Sequence, residues 1–483
     1  MEHLCSLAAD NPKNLVVLLP QDDGFWDAIA SRSFAMLRQR VPRPDAMVRV
    51  STPSAVSDVV SVCARHGIRI RIRCGGHDWH AGWLRSDTIL LDVGDLDDVA
   101  YHPETNRLTV GPGSRGSQVC QMLTREQDRF FPCGHCPTVA VGGFLLGGGF
   151  GIGFTRYQMA SQLVTGVDVV LASGECLHVD KDNANEPLPR AILTLLRGSY
   201  SCFPAVVTRF HFTNLPVNPK GVLSGCLVFG IDEWKEAIKL SLDISYRGDK
   251  DADTMELTLV IKDTPPDNIS DANSGPSQCV LVSIAIWTDT EDEGRAIWEK
   301  YIASKNHNTL LPIDAPALVA PETIPDMLGG GYPENSLYQV QAHSGNNQVY
   351  EMSDNEICHF IEPIVDMWKS DQRPRSTSHS LFVPIHRRLQ SRSQGLAYGS
   401  VPSLTVMSYG IFQDSSRTES YRDLLGQAHG RMRDSPAFHT ELPEGDLSVE
   451  GPASAFSSQV ALQEAKDCIR LLDPEGMFGG GLG

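Results

Sequence analysis

Two reactive side chains of this chain stand in or beside glycine-rich loops. His77 closes Arg73-Cys74-Gly75-Gly76-His77, and Cys136 lies just ahead of the run Gly142 to Gly153. Imidazoles and thiolates are both nucleophiles that form covalent bonds at carbon. The run reads GGFLLGGGFGIG, with seven glycines in twelve residues. Backbone rather than side chain therefore lines it, free to take φ > 0 or to approach a flat or phosphorylated group closely. Two such loops, each supplying one nucleophile, are what covalent capture of a cofactor needs. Gly75-Gly76 also reads as a tight turn with an incidental histidine. The functional reading is an anion nest of consecutive N–H groups for a pyrophosphate.

Other motifs fit less well. Cys133-Gly134-His135-Cys136 has the spacing of a thioredoxin-like dithiol, but Pro137-Thr138 and glycines follow where that fold needs a helix. A zinc site would need a second ligand pair at suitable spacing, and none is evident, so no metal is expected. No Lys-Ser or Lys-Thr follows the glycines, which excludes a Walker A loop, and the dinucleotide fingerprint match is loose.

The elements that must position these residues follow from periodicity. Val56 to His66 has apolar residues at helical spacing and Gly67 at the C-cap position. Ile68 to Arg73 alternates strictly and predicts a half-buried strand that feeds the His77 loop. Further strands are expected at Thr88–Val93, Val99–His102, Leu108–Val110, Gly166–Ala172, Cys176–Val179 and Ala205–Phe212. Helices are expected at Phe25–Leu37, Ser117–Gln127 and Pro189–Arg197. The glycine run reads as a loop. Beyond Leu215-Pro216-Val217-Asn218-Pro219 the pattern changes to strands at Met255–Ile261 and Val280–Trp287, with helices at Glu291–Ser304, Asn355–Trp368 and Gln459–Leu472.

A chain of 483 residues exceeds one ordinary core, so at least two domains are expected. The net charge of −18 argues against nucleic acid or an anionic membrane as partner. The first residues lack a basic segment before an apolar run, so no secretory signal is expected, and a cytoplasmic setting follows. No segment is long and apolar enough to span a bilayer. The twelve cysteines are scattered and are expected to be reduced thiols.

Taken together, Arg73-x-Gly75-Gly76-His77, Gly134-x-Cys136-Pro137-Thr138-Val139-x-Val141-Gly142-Gly143 and Gly147-Gly148-Gly149-Phe150-Gly151 resemble the berberine-bridge-enzyme-like FAD oxidases of the vanillyl-alcohol-oxidase superfamily. The likeness extends to Asp168-Val169-Val170 with Ser173-Gly174 and to the terminal Leu472-Asp473-Pro474-x-Gly476-Met477-Phe478. It implies an α+β fold: a two-lobed PCMH-type FAD-binding domain and a substrate domain whose antiparallel sheet is flanked by helices. The FAD-binding domain would take residues 1–215 (core 43–215), the substrate domain 216–444, and 445–483 would return to the FAD-binding domain.

The resemblance further implies FAD bonded twice, the flavin 8α-methyl to His77 and ring carbon C6 to Cys136. Arg73, Cys74, Gly75, Gly76, Asp78, Gly82, Thr138, Val139, Val141, Gly142, Gly143, Gly148, Gly149, Gly151 and Val169 would line the cofactor. The implied reaction is hydride transfer to flavin N5 from an alcohol or amine-bearing carbon of a medium-sized secondary metabolite, with O2 returning the flavin and giving hydrogen peroxide. A sugar lactol is the alternative within the class; a flavin scaffold that catalyses a non-redox cyclisation, or only binds a ligand, is the alternative outside it.

Departures from the family pattern bear on the base. Phe150 stands where a tyrosine is common, and Phe438-His439-Thr440-Glu441 replaces a Tyr-x-Asn motif. Phenylalanine cannot accept a proton, so His439 is the first candidate base, with Glu441 and Tyr157 behind it; His439 also reads as an exposed loop histidine. The loop Asp78-Trp79-His80-Ala81-Gly82 is one residue longer than expected, with His80 facing flavin or surface. Arg197 to Pro204 replaces a glycine- and asparagine-rich turn.

Overall fold

The computed structural model of the chain describes residues 1–32, 42–78, 81–263, 278–320, 323–324, 341–349, 353–370, 379–384, 404–412, 418–433, 440–441 and 459–479. Helices α1 (Glu2–Asp10) and α2 (Phe25–Ala30) flank a first sheet of β1 (Leu15–Leu18), β2 (Ala46–Val50), β3 (Ile70–Arg73) and β4 (Ile89–Asp92), in the order β1-β2-β4-β3. β2 and β3 run parallel to β4, which requires a crossover. That crossover is α3 (Pro53–His66). Thr52 Oγ1 accepts from Ala55 N at 3.3 Å, Pro53 occupies the first turn, and Gly67 ends the helix at φ 62°. Its Val56, Val59, Val60 and Cys63 share a core with Val48, Ile70 and Leu91.

The second sheet comprises β5 (Val99–His102), β6 (Arg107–Val110), β7 (Val164–Val170), β8 (Cys176–Asp180) and β9 (Val206–Thr213), all antiparallel, in the order β5-β6-β9-β7-β8. Helices α4 (Gly116–Glu126), α5 (Val141–Leu146), α6 (Phe154–Tyr157) and α7 (Pro187–Leu196) surround it. The third sheet is antiparallel throughout. It contains β10 (Gly221–Gly230), β11 (Met255–Asp263), β12 (Gln278–Thr288), β13 (Ala317–Leu318), β14 (Gln341–Val349), β15 (His379–Pro384), β16 (Leu404–Phe412) and β17 (Thr440–Glu441), in the order β13-β10-β12-β11-β15-β16-β14-β17. Helices α8 (Trp234–Arg247), α9 (Glu291–Trp298), α10 (Asp354–Lys369) and α11 (Thr418–Arg433) accompany it; Leu257, Leu259 and Ile284 pack with Ile244, Ile361 and Trp368. The fold is α+β.

Three readings are corrected by packing. The strict alternation of Ile68 to Arg73 does not survive: Ile70 and Arg73 are buried, Arg71 and Ile72 half-buried. Arg73 is buried because Asp92 of β4 meets it. The glycine run does not begin as a loop, since Val141–Leu146 is helical, with Val141 and Leu145 one turn apart in the core. The helix expected over Glu291–Ser304 is α-helical only to Trp298 and continues as a π-turn, Glu299–Ala303. The helix expected over Phe25–Leu37 is helical over Phe25–Ala30, and its later part falls outside the described residues.

After the third sheet the chain returns to the first two. Helix α12 (Gln459–Leu472) buries Leu462, Ala465, Ile469 and Leu472 in the core that holds Ile192 and Leu195 of α7. Asp473 then accepts from Met477 N (2.8 Å) and Phe478 N (2.9 Å), and Ile70 N donates to Met477 O at 2.8 Å beside β3. Asp473→Ala would leave two buried N–H groups without an acceptor. It is expected to cost roughly 2–4 kcal/mol, read as a lowered urea midpoint at unchanged slope.

Candidate functional site

β3 and the loop ahead of α5 bring the two nucleophiles together. Cys136 Sγ lies 3.2 Å from His77 Nε2, and the Thr138 hydroxyl contacts both, at 3.3 Å from the sulfur and 3.2 Å from the nitrogen. Desolvation pushes His77 down to about 4, so its imidazole is neutral near pH 7. Burial pushes the Cys136 thiol up, against hydrogen bonds from Thr138 that favour the thiolate.

The glycines are required by close approaches. Gly76 has φ 66°, and a Cβ there would stand 1.5 Å from Arg32 O. A Cβ on Gly75 would meet the Ala140 side chain at 2.7 Å; one on Gly142 would meet Cys74 Sγ at 2.7 Å. Gly148 and Gly149 take φ of 100° and 75°, and Gly151 lies against the Pro132 and Cys133 carbonyls. Gly143 differs: a Cβ there would meet nothing within 4 Å among the described residues. The first turn of α5 therefore presents bare backbone to open space.

The remaining expected cofactor residues support this frame. The Arg73 guanidinium donates to Asp92 Oδ2 at 2.5 Å and Ile29 O at 2.6 Å and stacks 4.9 Å from the Trp83 ring. Asp92 also accepts from Arg32 at 3.2 Å and Gly94 N at 2.9 Å. Arg73 thus anchors the end of β3. Asp78 accepts from Gly82 N at 2.6 Å, bridging the ends of the loop that holds Trp79 and His80, which lie outside the described residues. Val139 O accepts from Gly116 N, and Val141 N donates to Ser114 O, both at 2.9 Å, fastening the Cys136 loop to α4. Cys74 is pushed up to about 12 by burial, and Val169 is a core residue of β7.

Of the three candidate bases, Tyr157 is described fully. It packs 4.4 Å from Phe130 and 6.4 Å from Trp287, and burial pushes its phenol up to about 12. Glu441 is placed only as a backbone position on β17, paired with Asn347. His439 lies outside the described residues. Phe150 stacks on Phe154 at 4.3 Å.

Two groupings were not legible in the sequence. Glu256 of β11 is buried, accepts from Gly153 N at 2.6 Å, and lies 3.3 Å from His135 Nε2. The signal was an acid inside the apolar run Met255-Glu256-Leu257. On the outer face of the second sheet, Asp168 meets His178 Nδ1 at 2.6 Å and His211 Nε2 at 3.2 Å. Burial favours the neutral acid at Asp168, but these hydrogen bonds outweigh it and hold the carboxyl below its ordinary range. Sequence spacing suggested no metal-ligand set, yet the ligand atoms of these three lie within 4.8 Å of one another; Arg209 approaches the same carboxylate at 4.0 Å.

Adjacent nucleophiles, a bare glycine surface and a neutral imidazole fit a flat ring captured by two bonds. Comparison with known proteins points to FAD as the ring. Residues 44–180 match the FAD binding domain family. The FAD-linked oxidoreductase janO of Penicillium janthinellum is 33% identical over 198 residues, 40% of this chain and 42% of that protein. The xylooligosaccharide oxidase of Thermothelomyces thermophilus is 30% identical over 178 residues, 36% of this chain and 35% of that protein. The chain thus matches less than half the length of these relatives. Among solved structures, CrmK, a flavoenzyme of caerulomycin biosynthesis, superposes with a TM-score of 0.79 at 15% identity, over 96% of this chain and 98% of that one. Residues 44–180 thus match an FAD binding domain, and the chain shares its fold with solved berberine-bridge-enzyme-like proteins such as Physcomitrella patens BBE-like 1 (TM-score 0.75 at 16% identity, over 98% of this chain and 97% of that one).

Proposed function

We propose that the protein is an FAD-dependent oxidase whose flavin is held by two covalent bonds, from His77 and Cys136. The observation that carries this is their approach to 3.2 Å across a shared threonine, within a segment that matches FAD-binding domains. The flavin would supply a two-electron acceptor at N5 and return its electrons to O2 as hydrogen peroxide. The protein's part is to hold the ring on the bare face of α5 and to present substrate from the third sheet. Trp287 and Arg156 help to fasten that sheet to the flavin-binding lobe. The Trp287 ring lies 5.5 Å from Phe130, and Arg156 donates to Trp287 O at 2.8 Å and to Asp289 at 2.7 Å.

The substrate is an alcohol or amine of a medium-sized secondary metabolite. CrmK's part in caerulomycin biosynthesis supports this class, and the oligosaccharide oxidase supports a sugar lactol as second reading. His439 and Glu441 stay as candidate bases. Tyr157, with its phenol at about 12, serves near pH 7 as a neutral donor. Among the described residues no helix is long and apolar enough to cross a membrane.

Anaerobic mixing with candidate alcohols, amines and sugars tests the reading. Bleaching of the visible band, then peroxide on admitting air, supports it; product without bleaching would establish the non-redox alternative. Because the Cys136 thiol is raised, its thiolate fraction rises about tenfold per pH unit near neutrality. Attachment of added FAD to apoprotein through sulfur should quicken accordingly. Attachment through His77, already neutral, should stay flat, as mass spectrometry of His77→Ala and Cys136→Ala variants would show.

A further inference from the structure

We propose that Asp168, His178 and His211 form a binding site for a divalent cation of the zinc class, a site that does not depend on the flavin reading. The three stand on adjacent strands, Asp168 on β7, His178 on β8 and His211 on β9. Asp168 pairs directly with His178, while His211 pairs with Gly166, two residues back along β7. The β7–β9 register shifts between Val164 and Gly166 and again between Asp168 and Val169. Such irregularities re-aim side chains. Val167 and Val169 are buried in the core, so alternation turns the Asp168 carboxylate to the other face. There one ligand atom from each of the three residues lies within 4.8 Å of the others.

Imidazole nitrogen and carboxylate oxygen are the ligands zinc takes where thiolate is absent. His211 Nε2 is buried 3.2 Å from Asp168 Oδ1 but is not aligned to donate to it. An ion bonded to both atoms sits off the line between them, and tetrahedral ligands stand about 3.3 Å apart. The outer nitrogens have the partners that a metal-bound histidine needs. His211 Nδ1 lies 3.2 Å from the Thr109 hydroxyl, and His178 Nε2 lies 3.4 Å from Asp180 Oδ2. With protons on those outer nitrogens, His178 Nδ1 and His211 Nε2 turn lone pairs inward. The His178 side chain is 54% exposed, which gives an ion a way in and leaves a fourth position to water. Two features oppose binding. His178 Nδ1 and Asp168 Oδ1 are 2.6 Å apart and share a proton that the ion must displace, and Arg209 stands 4.0 Å from Asp168 Oδ2. The metal-free alternative is a histidine cation held between Asp168 and Asp180.

Calorimetric titration of ZnCl2 into chelator-stripped holoenzyme decides between them. The wild type should show a saturable site that His211→Gln and Asp168→Asn abolish. Asp180→Asn should weaken it by about 10–100-fold, since an outer partner orients the ligand. Arg209→Gln should tighten it by on the order of tenfold by removing a competing positive charge, a gain that no misfolded variant can mimic. X-ray absorption of the zinc-loaded holoenzyme should give N/O neighbours at about 2.0–2.1 Å and none at about 2.3 Å, where thiolate sulfur would appear. Absence of saturable uptake by the wild type overturns the proposal in favour of the histidine cation. A site that survives His211→Gln, an affinity that Arg209→Gln leaves unmoved, or a sulfur shell overturns it too, by putting the ion elsewhere.

Discussion

Acid-precipitated wild-type chain should come down yellow, and the His77→Ala/Cys136→Ala double variant should come down colourless with its pigment in the supernatant. Each single variant should keep one bond, so both precipitates stay coloured while their denatured spectra differ, a histidyl linkage in Cys136→Ala and a thioether in His77→Ala. The change is from one flavin retained per chain to none, the largest expected effect of any substitution here. It follows from geometry: imidazole and thiol emerge 3.2 Å apart from loops held by separate elements, β3 and α5. Colour lost from the wild-type pellet would mean that the approach of His77 and Cys136 serves packing alone.

The second large effect lies beneath the loop. Asp92→Ala should cost roughly 3–5 kcal/mol, because it strands a fully buried Arg73 guanidinium without its counter-charge. Arg32 and Gly94 N lose a partner in the same step. Asp92→Asn keeps an acceptor and should lose less. The urea midpoint measures the stability change, and absorbance of the precipitated pellet measures flavin retention. Both should fall, since Arg73 fixes the strand end from which Gly75, Gly76 and His77 depart. A midpoint unchanged in Asp92→Ala would show that Arg73 finds water once its partner is gone.

Local patterns were legible where local chemistry decides the outcome. Helix α3 is read from its apolar spacing and from Gly67, and α12 matches Gln459–Leu472 residue for residue, because amphipathic periodicity and cap residues act within a few turns. β5, Val99–His102, also falls where alternation and the following turn put it. The errors share a cause. Arg73 reads as an outward residue of an alternating strand until Asp92, 19 positions on, is seen to meet it. Val141–Leu146 reads as loop because glycine disfavours helices, yet burial of Val141 and Leu145 overrides that preference.

What the amino-acid order alone determined was the inventory: two nucleophiles, the glycines that clear space around them, and the apolar periods that build the elements. What only the tertiary structure decided was which distant groups share a dielectric environment. A buried carboxylate at 256 has no sequence signal strong enough to name its partner, because a charge in an apolar run is tolerated only by whatever the fold brings to it. Here the fold brings Gly153 N–H and His135, from segments more than a hundred residues away. Burial sets the cost of that charge, and burial is a property of the packed chain.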